Sequence, residues 1–365
     1  FAHFTLRGGD GPRTEVFELL AGEPATNDIM DGIDTTWARV PGGAPIGKLA
    51  GDIIAGFQPA DPAASVEALL KLRSRLAALD TKDPVVAEKR ALLDRILHAC
   101  LGLKVRTVLP ATEVVPGESL EMRHNARVSC SVPVRWVEVR YPSIKTKVRT
   151  GQQLQMGQPS TLEAAQTLPA KTPLTQPYWL REEGTAGTYR VNDPSLIGRP
   201  ENPPLFPIEQ VFEVAGQTLV IPDQPVQLTT NLAHAQVAQR LDAIPPVYLG
   251  FDSEVSLFAP GSTHAVEVEV SANRPNLGGP LALRAPPGRQ VAPVNQPFKL
   301  HAVGDHLRLK FDVTAPAGHR PAPLCVVARE LRTGRLVRAW LDGTDPPDPP
   351  YGTGDATLLV AFYAS

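Results

Sequence analysis

No familiar catalytic signature runs through this sequence. It has no G-x-S-x-G elbow for a serine nucleophile, no Walker A loop and no G-x-G-x-x-G turn. H-E-x-x-H, H-x-x-H and C-x-x-C are absent as well, and the eight histidines are scattered. Nucleophilic, phosphate-cradling and zinc chemistry therefore have no marked place in the chain. Cysteine is scarce: Cys100, Cys130 and Cys325 lie far apart and fit no zinc spacing. Each reads as a small buried hydrophobe. The alternative, a Cys130–Cys325 disulfide, would have to join two β segments. No apolar run approaches the ~18 residues needed to cross a bilayer, and no N-x-S/T sequon occurs. The formal net charge is −2, with no basic patch. A nucleic-acid partner needs clustered Lys/Arg to neutralise phosphates, so it is excluded.

What is abundant is proline, 38 in 365 residues, about twice the usual ~5%. Proline removes a backbone donor and is kept out of helix interiors and central strands. Spread among β-branched runs, it predicts many short strands with stiff connections. Hydrophobic residues at 42% and charged residues at 20% allow a packed core.

Along the chain, residues 1–60 read as irregular, with a short helix at Val16–Leu20 and a loop around Gly42-Gly43 between Pro41 and Pro45. Asp61-Pro62 and Asp83-Pro84 then look like two helix starts, Asp as N-cap and Pro at the first helical position. Val66, Leu69, Leu70, Leu76 and Leu79 recur at helical spacing in the first; Val86, Leu93, Ile96, Leu97 and Cys100 do so in the second. The expectation is an αα-hairpin whose apolar faces cover a neighbouring domain.

From about residue 105 the period changes to two. Val137, Val139 and Tyr141 share one face and Glu138 and Arg140 the other. Val211 to Val220 predicts a hairpin turning at Ala215-Gly216, whereas 151–177 reads as a long, strand-poor excursion. Near the end, Val266, Val268 and Val270 alternate with Glu267 and Glu269, and Leu307, Leu309, Phe311 and Val313 with Arg308, Lys310 and Asp312. Leu324–Leu331 and Leu336–Leu341 flank a Thr333-Gly334 turn. Short strands at such spacing predict Ig-like antiparallel β-sandwiches in tandem, preceded by the helical hairpin. The expected domains are 1–104 (irregular segment plus hairpin), 105–243 (first sandwich) and 244–365 (second), with Ile244-Pro245-Pro246 as linker.

Three small constellations could carry binding. His301 and His306 flank Asp305, but a continuous strand would put the two imidazoles on opposite faces, so an ordinary turn is the plainer reading. Asp342, Asp345 and Asp348, with Asp355 nearby, make an oxygen-rich loop that could hold calcium, but Asp, Gly and Pro are the ordinary residues of turns and the two prolines disrupt an EF-hand pattern, so a plain loop is the plainer reading. Tyr178, Trp179 and Arg181 place two aromatics beside a cation. Exposed, they could stack on a sugar ring and hydrogen-bond its hydroxyls; buried, they are core residues.

Several strings carry a resemblance. Phe17–Gly22, Gly32–Val40, Gln176–Glu182, Gly187-Thr188-Tyr189 and Ile197–Pro204 resemble, in order and spacing, the region after the catalytic domain of large bacterial PIG-L/LmbE-family deacetylases, over most of 15–230. Leu257–Ser262 and Phe311–Gly318 resemble Ig-like domains attached to secreted carbohydrate-active enzymes. The resemblance implies a zinc-dependent amidase domain acting on N-acetylglucosamine-type groups, upstream of Phe1, with its zinc there, and an extracellular or periplasmic setting at cell-envelope glycan. That family's His-Pro-Asp-Asp-Glu and His-x-x-His motifs have no counterpart here, so no catalytic residue carries over. The expected role is an accessory region that braces or positions the deacetylase; the alternatives are a structural surface protein that assembles without an enzyme, and a carbohydrate-binding module.

Overall fold

The computed structural model describes residues 31–317, apart from 81, 183, 186, 233–234, 253–254, 258, 260 and 286–287, together with strands 324–329, 336–341 and 359–361. For 255–257 and those last three strands only the backbone is described. The Val16–Leu20 helix, the Thr333-Gly334 turn and the Asp342, Asp345, Asp348 and Asp355 loop lie outside these residues. The chain divides into two compact units, residues 1–101 and 102–365.

Among the described residues of the first unit three α-helices occur: α1 (Ala44–Ala55), α2 (Val66–Ala77) and α3 (Pro84–Cys100). α3 starts as its sequence dictates, since Asp83 Oδ1 accepts from the N–H of Val85 (2.8 Å) and Val86 (3.4 Å). Asp61 gives no such cap, and a short 3₁₀ turn over Pro62–Ser65 leads into α2 instead. Arg73 bridges α2 to α3, its Nε 2.6 Å and its Nη2 3.3 Å from the two oxygens of Asp94. Two expectations need correction. α1 replaces the expected loop, with Pro45 tolerated in its first turn. Ile96 lies off the buried stripe of α3, 40% exposed where Leu93 is 4% exposed.

The second unit holds two β-sandwiches. The strands of the first are β1 (Lys104–Val108), β2 (Glu113–Val114), β3 (Ser119–Arg127), β4 (Val134–Tyr141), β5 (Thr146–Gln153), β6 (Pro159–Thr167), β7 (Ile208–Val214), β8 (Gln217–Asp223), β9 (Pro225–Thr230), β10 (Gln236–Arg240) and β11 (Asp242–Ala243). One sheet runs β10-β9-β1-β3-β6, the other β5-β4-β7-β8, with a small β2–β11 pair beside them. Alternate residues of β3 (Leu120, Met122, His124, Ala126) are buried, as are Trp136, Tyr141, Ile208 and Phe212 of the other sheet. Trp136 stacks on Phe212 with ring centroids 6.2 Å apart.

The β7–β8 hairpin turns at Ala215 (φ 46) and Gly216 (φ 77) as expected, both positive, which is the geometry of the favoured two-residue turn. Two other readings change. A register shift in β4 between Trp136 and Glu138 takes Val137 out of simple alternation, so Trp136, Val139 and Tyr141 are buried and Val137 only half-buried. The 151–177 stretch is not strand-poor: β6 pairs with β3 over nine regularly registered positions, with Pro159 at its first residue, where an edge strand can hold it. Cys130 is a free thiol, so no disulfide reaches it.

Ile244-Pro245-Pro246 leads into the second sandwich, held by Ile244 N–H to Val114 O (3.0 Å) and by Asn273 Nδ2–H to Pro245 O (2.8 Å). Its strands are β12 (Val247–Phe251), β13 (Val255–Leu257), β14 (Thr263–Ala272), β15 (Leu277–Arg284), β16 (Gln290–Ala292), β17 (Gln296–Leu300), β18 (His306–Thr314), β19 (Leu324–Arg329), β20 (Leu336–Leu341) and β21 (Leu359–Ala361). The sheets run β12-β14-β18-β16 and β17-β15-β19-β20, with β13 pairing β21. Val266, Val268, Val270, Phe311 and Val313, inward residues of the predicted alternation, form one buried cluster with Leu281 and Phe298, and Leu307 and Leu309 pack against it partly buried.

Candidate functional site

Between β6 and β7 the chain leaves the first sandwich and returns along its edge as a long strap. Its hydrogen bonds explain the path. Thr175 N–H donates to Ala243 O (2.9 Å), and Ala243 N–H donates back to Thr175 Oγ1 (2.8 Å). Further on, Asn202 Nδ2–H reaches Gln176 O (2.8 Å), closing the strap on itself. Arg240 on β10 then clamps the returning limb, through an ion pair of Nη1 with Glu201 and a 3.0 Å bond from Nη2 to Asn202 O. Its Nε donates to Gln224 Oε1 at 3.1 Å, which fixes the guanidinium on the sheet side.

Strap and sheet edge enclose an open cleft of about 880 Å³. Trp179, Arg181, Asp193, Glu201, Arg240 and Asp242 line it, among several prolines and threonines. Trp179 is half-buried and Arg181 exposed. Of the three residues expected from sequence, the structure brings Trp179 and Arg181 to the cleft and puts Tyr178 underneath. Tyr178 is 7% exposed, donates its hydroxyl to Arg199 O (3.0 Å) and meets Trp179 edge-to-face at 4.9 Å. It orients the indole rather than lining the cleft. Desolvation holds the Asp242 carboxyl above the usual carboxylate range, against a hydrogen bond from Thr175 that lowers it. Asp193 is lowered by the hydroxyl and N–H of Ser195, whose turn it caps. An aromatic face with carboxylates, guanidinium and hydroxyls around it can stack on an apolar ring face and hydrogen-bond polar groups at its rim.

Arg240 and Asp242 were invisible as site residues in the sequence, because they sit on and beyond β10, far from the strap in the chain. Only the return of the strap makes them neighbours of Trp179.

A second polar constellation lies inside the first sandwich. Asp223, Thr107, His124 and Tyr141 form a chain: Thr107 Oγ1 to Asp223 Oδ2 at 2.7 Å, Thr107 Oγ1 to His124 Nδ1 at 2.7 Å, and His124 Nε2 to Tyr141 Oη at 2.8 Å. The hydroxyl proton of Thr107 goes to Asp223, so His124 Nδ1 must carry the hydrogen it donates to Thr107. Nε2 then accepts from Tyr141, whose own ionisation is pushed up to about 12, chiefly by burial. Gln210 Nε2 adds a 2.7 Å bond to Asp223 Oδ2. The row of acid, hydroxyl and imidazole looks like nucleophile machinery, yet Thr107 and His124 are both 0% exposed. Burial lowers the His124 pKa to about 4, so the ring is neutral near pH 7. With no path for a substrate, the chain ties one sheet to the other.

The remaining expectation, His301–Asp305–His306, resolves as a turn. Asp305 Oδ2 accepts from the N–H groups of His301 (2.8 Å) and Ala302 (2.9 Å). Among the described residues no three His, Cys, Asp or Glu side chains gather as metal ligands, and none of the helices is long and apolar enough to cross a membrane.

The fold defines a class: mainly β, with tandem Ig-like sandwiches that follow a helical unit in the chain. No family model and no curated protein matches the chain. Among solved structures, a Salmonella alpha-2-macroglobulin mutant is similar at 13% identity and a TM-score of 0.25, covering 71% of this chain and 16% of that one. The native conformation of Escherichia coli alpha-2-macroglobulin gives 12% identity, a TM-score of 0.24 and coverages of 66% and 16%. The elastase-activated form of the E. coli protein gives 11%, 0.24, 72% and 22%. The chain thus spans 16–22% of the length of these molecules, and likeness of this depth carries no argument.

Proposed function

We propose that this chain is an accessory, non-catalytic region that holds a glycan in the cleft beneath the strap, as part of a PIG-L/LmbE-type deacetylase of the extracellular or periplasmic cell envelope. The supporting observation is the cleft itself, with Trp179 half-exposed on its wall and Arg181 beside it. The resemblance in the strings around Trp179 and Ile197–Pro204, which belong to the strap, supplies the link to that family. In this reading the deacetylation chemistry, and its zinc, belong to the partner catalytic domain, and no step passes through the cleft. The chain contributes position: it raises the local concentration of catalyst at its polymer, as a tethered second binding site does.

The test is calorimetric titration of the full chain with N-acetylglucosamine oligosaccharides. Trp179→Ala should weaken binding roughly tenfold or more, from the loss of ring stacking, and Arg181→Gln should weaken it less, both with unchanged melting. Equal binding by wild type and Trp179→Ala, or no binding at all, would discard the glycan reading.

A further inference from the structure

We infer that the outer edge of β6 is a self-association edge, at which a second copy of this chain pairs antiparallel, strand to strand. β6 borders the five-stranded sheet and, among the described residues, pairs only with β3. Leu168 bonds back to β3's side of the sheet, donating to Glu118 O and accepting from Gly117 N–H. Alternation along the strand therefore turns the N–H and C=O groups of Thr161, Glu163, Ala165 and Thr167 outward. Among the described residues no bond is formed by any of them.

The edge strands of this sandwich are not alike. β5 carries Lys147 and Arg149, and β8 carries Pro222. β10 is five residues long and lies under the Arg240 clamp. Charge, proline, shortness and cover are the usual guards of a strand edge. β6 is the least guarded of the four: nine residues in unbroken register, proline only at its first position, and Glu163 as its single charge.

The sequence of β6 also selects its partner. Antiparallel pairing of two copies about Ala164 sets Thr161 opposite the partner's Thr167 and Glu163 opposite the partner's Ala165. All the outward groups then meet in hydrogen-bonded pairs, and no like charges face. Centring on Glu163 would oppose two carboxylates, and centring on Leu162 would meet the missing N–H of Pro159. Threonine pairs are favourable across strands and like charges opposite one another are not. A second copy also arrives already extended and fixed by its own β3, so it avoids the ordering cost that a free peptide would meet.

Sedimentation velocity of the full chain over a concentration series tests this. Wild type should dimerise. Ala165→Glu puts a carboxylate against the partner's Glu163 twice and should weaken the dimer about tenfold or more, whereas Ala165→Lys puts an ammonium there and should preserve or tighten it. Position 165 is exposed, so neither change asks the fold to move. Hydrogen exchange provides the second reading: the amides of Thr161, Glu163, Ala165 and Thr167 should slow as concentration rises. A chain that stays monomeric throughout, or a dimer that responds identically to both substitutions with these amides unprotected, overturns the proposal. Glycan binding at Trp179 stands or falls separately.

Discussion

His124 is the residue whose burial has the largest chemical consequence. Its folded pKa of about 4 lies well below the ordinary value of 6.5. The unfolded chain therefore binds the proton first. Stability is full above pH 6.5 and falls as pH drops from 6.5 towards 4, by about 3 kcal/mol from this ring alone. Urea unfolding followed by tryptophan fluorescence at pH 7 and pH 4.5 should reveal the slope. His124→Gln should remove most of it, while starting from a less stable protein because Tyr141 and Thr107 lose their partner. Glu138, held below its usual range first by Arg140 and then by Lys147, acts only at lower pH. At this scale the sequence was half legible. Trp179 and Arg181 could be picked out because an aromatic pair beside a cation is rare in so polar a stretch. The role of Tyr178 could not be, since exposure is decided by the strap, and nothing in the string Gln176–Glu182 says which of two adjacent rings faces water. His124 falls in phase with Leu120, Met122 and Ala126 on the buried face of β3, a period-two mark that the sequence reading passed over because histidine is polar.

Elements were legible where one periodicity ruled and illegible where punctuation or bulges intervened. α3 could be read because Asp83-Pro84 and its apolar stripe agree. α1 could not, because Gly43, Pro45, Gly47 and Gly51 look like loop residues although helix N-termini accept proline. β6 was hidden by its Gln, Thr and small residues, which a strand tolerates at an edge. In β4 the bulge broke the count at Val137. Leu93→Asp should cost the helical unit about 3 kcal/mol or more by burying a charge, while Ile96→Asp should cost under about 1 kcal/mol because an exposed site keeps the carboxylate in water; thermal melts at 222 nm distinguish them. Ala215→Asn should stabilise the β7–β8 hairpin by about 0.5 kcal/mol, since Ala215 holds φ 46 and asparagine tolerates that region better than alanine. No rise in melting temperature would mean that this turn is not what limits the sandwich.

At the scale of the whole molecule, the mainly β class with a helical N-terminal part could be read from the change of period near residue 105, and the compact units divide close by, after Leu101. Residues 102–365 should therefore fold when expressed alone, keeping a β-type circular dichroism spectrum and whatever glycan affinity the full chain has. Loss of both on excision would mean that the units depend on one another. What the sequence could not supply is the cleft, because it exists only where residues from the strap and from β10 converge.

The chain from Asp223 to Tyr141 also bears on how the two sheets can move. Greasy surfaces slide: one valine replaces another under the same phenylalanine at little penalty. A row of directed bonds does not, since a shift of one residue along β3 would carry His124 to the outer face and leave Thr107 and Tyr141 pointing at hydrocarbon. The polar row works as an indexing pin between two slippery plates, so the apolar core supplies adhesion and the pin supplies alignment. Shear along the strands, as in stretching by a single-molecule tether, should then meet its resistance at this row before the rest of the interface yields.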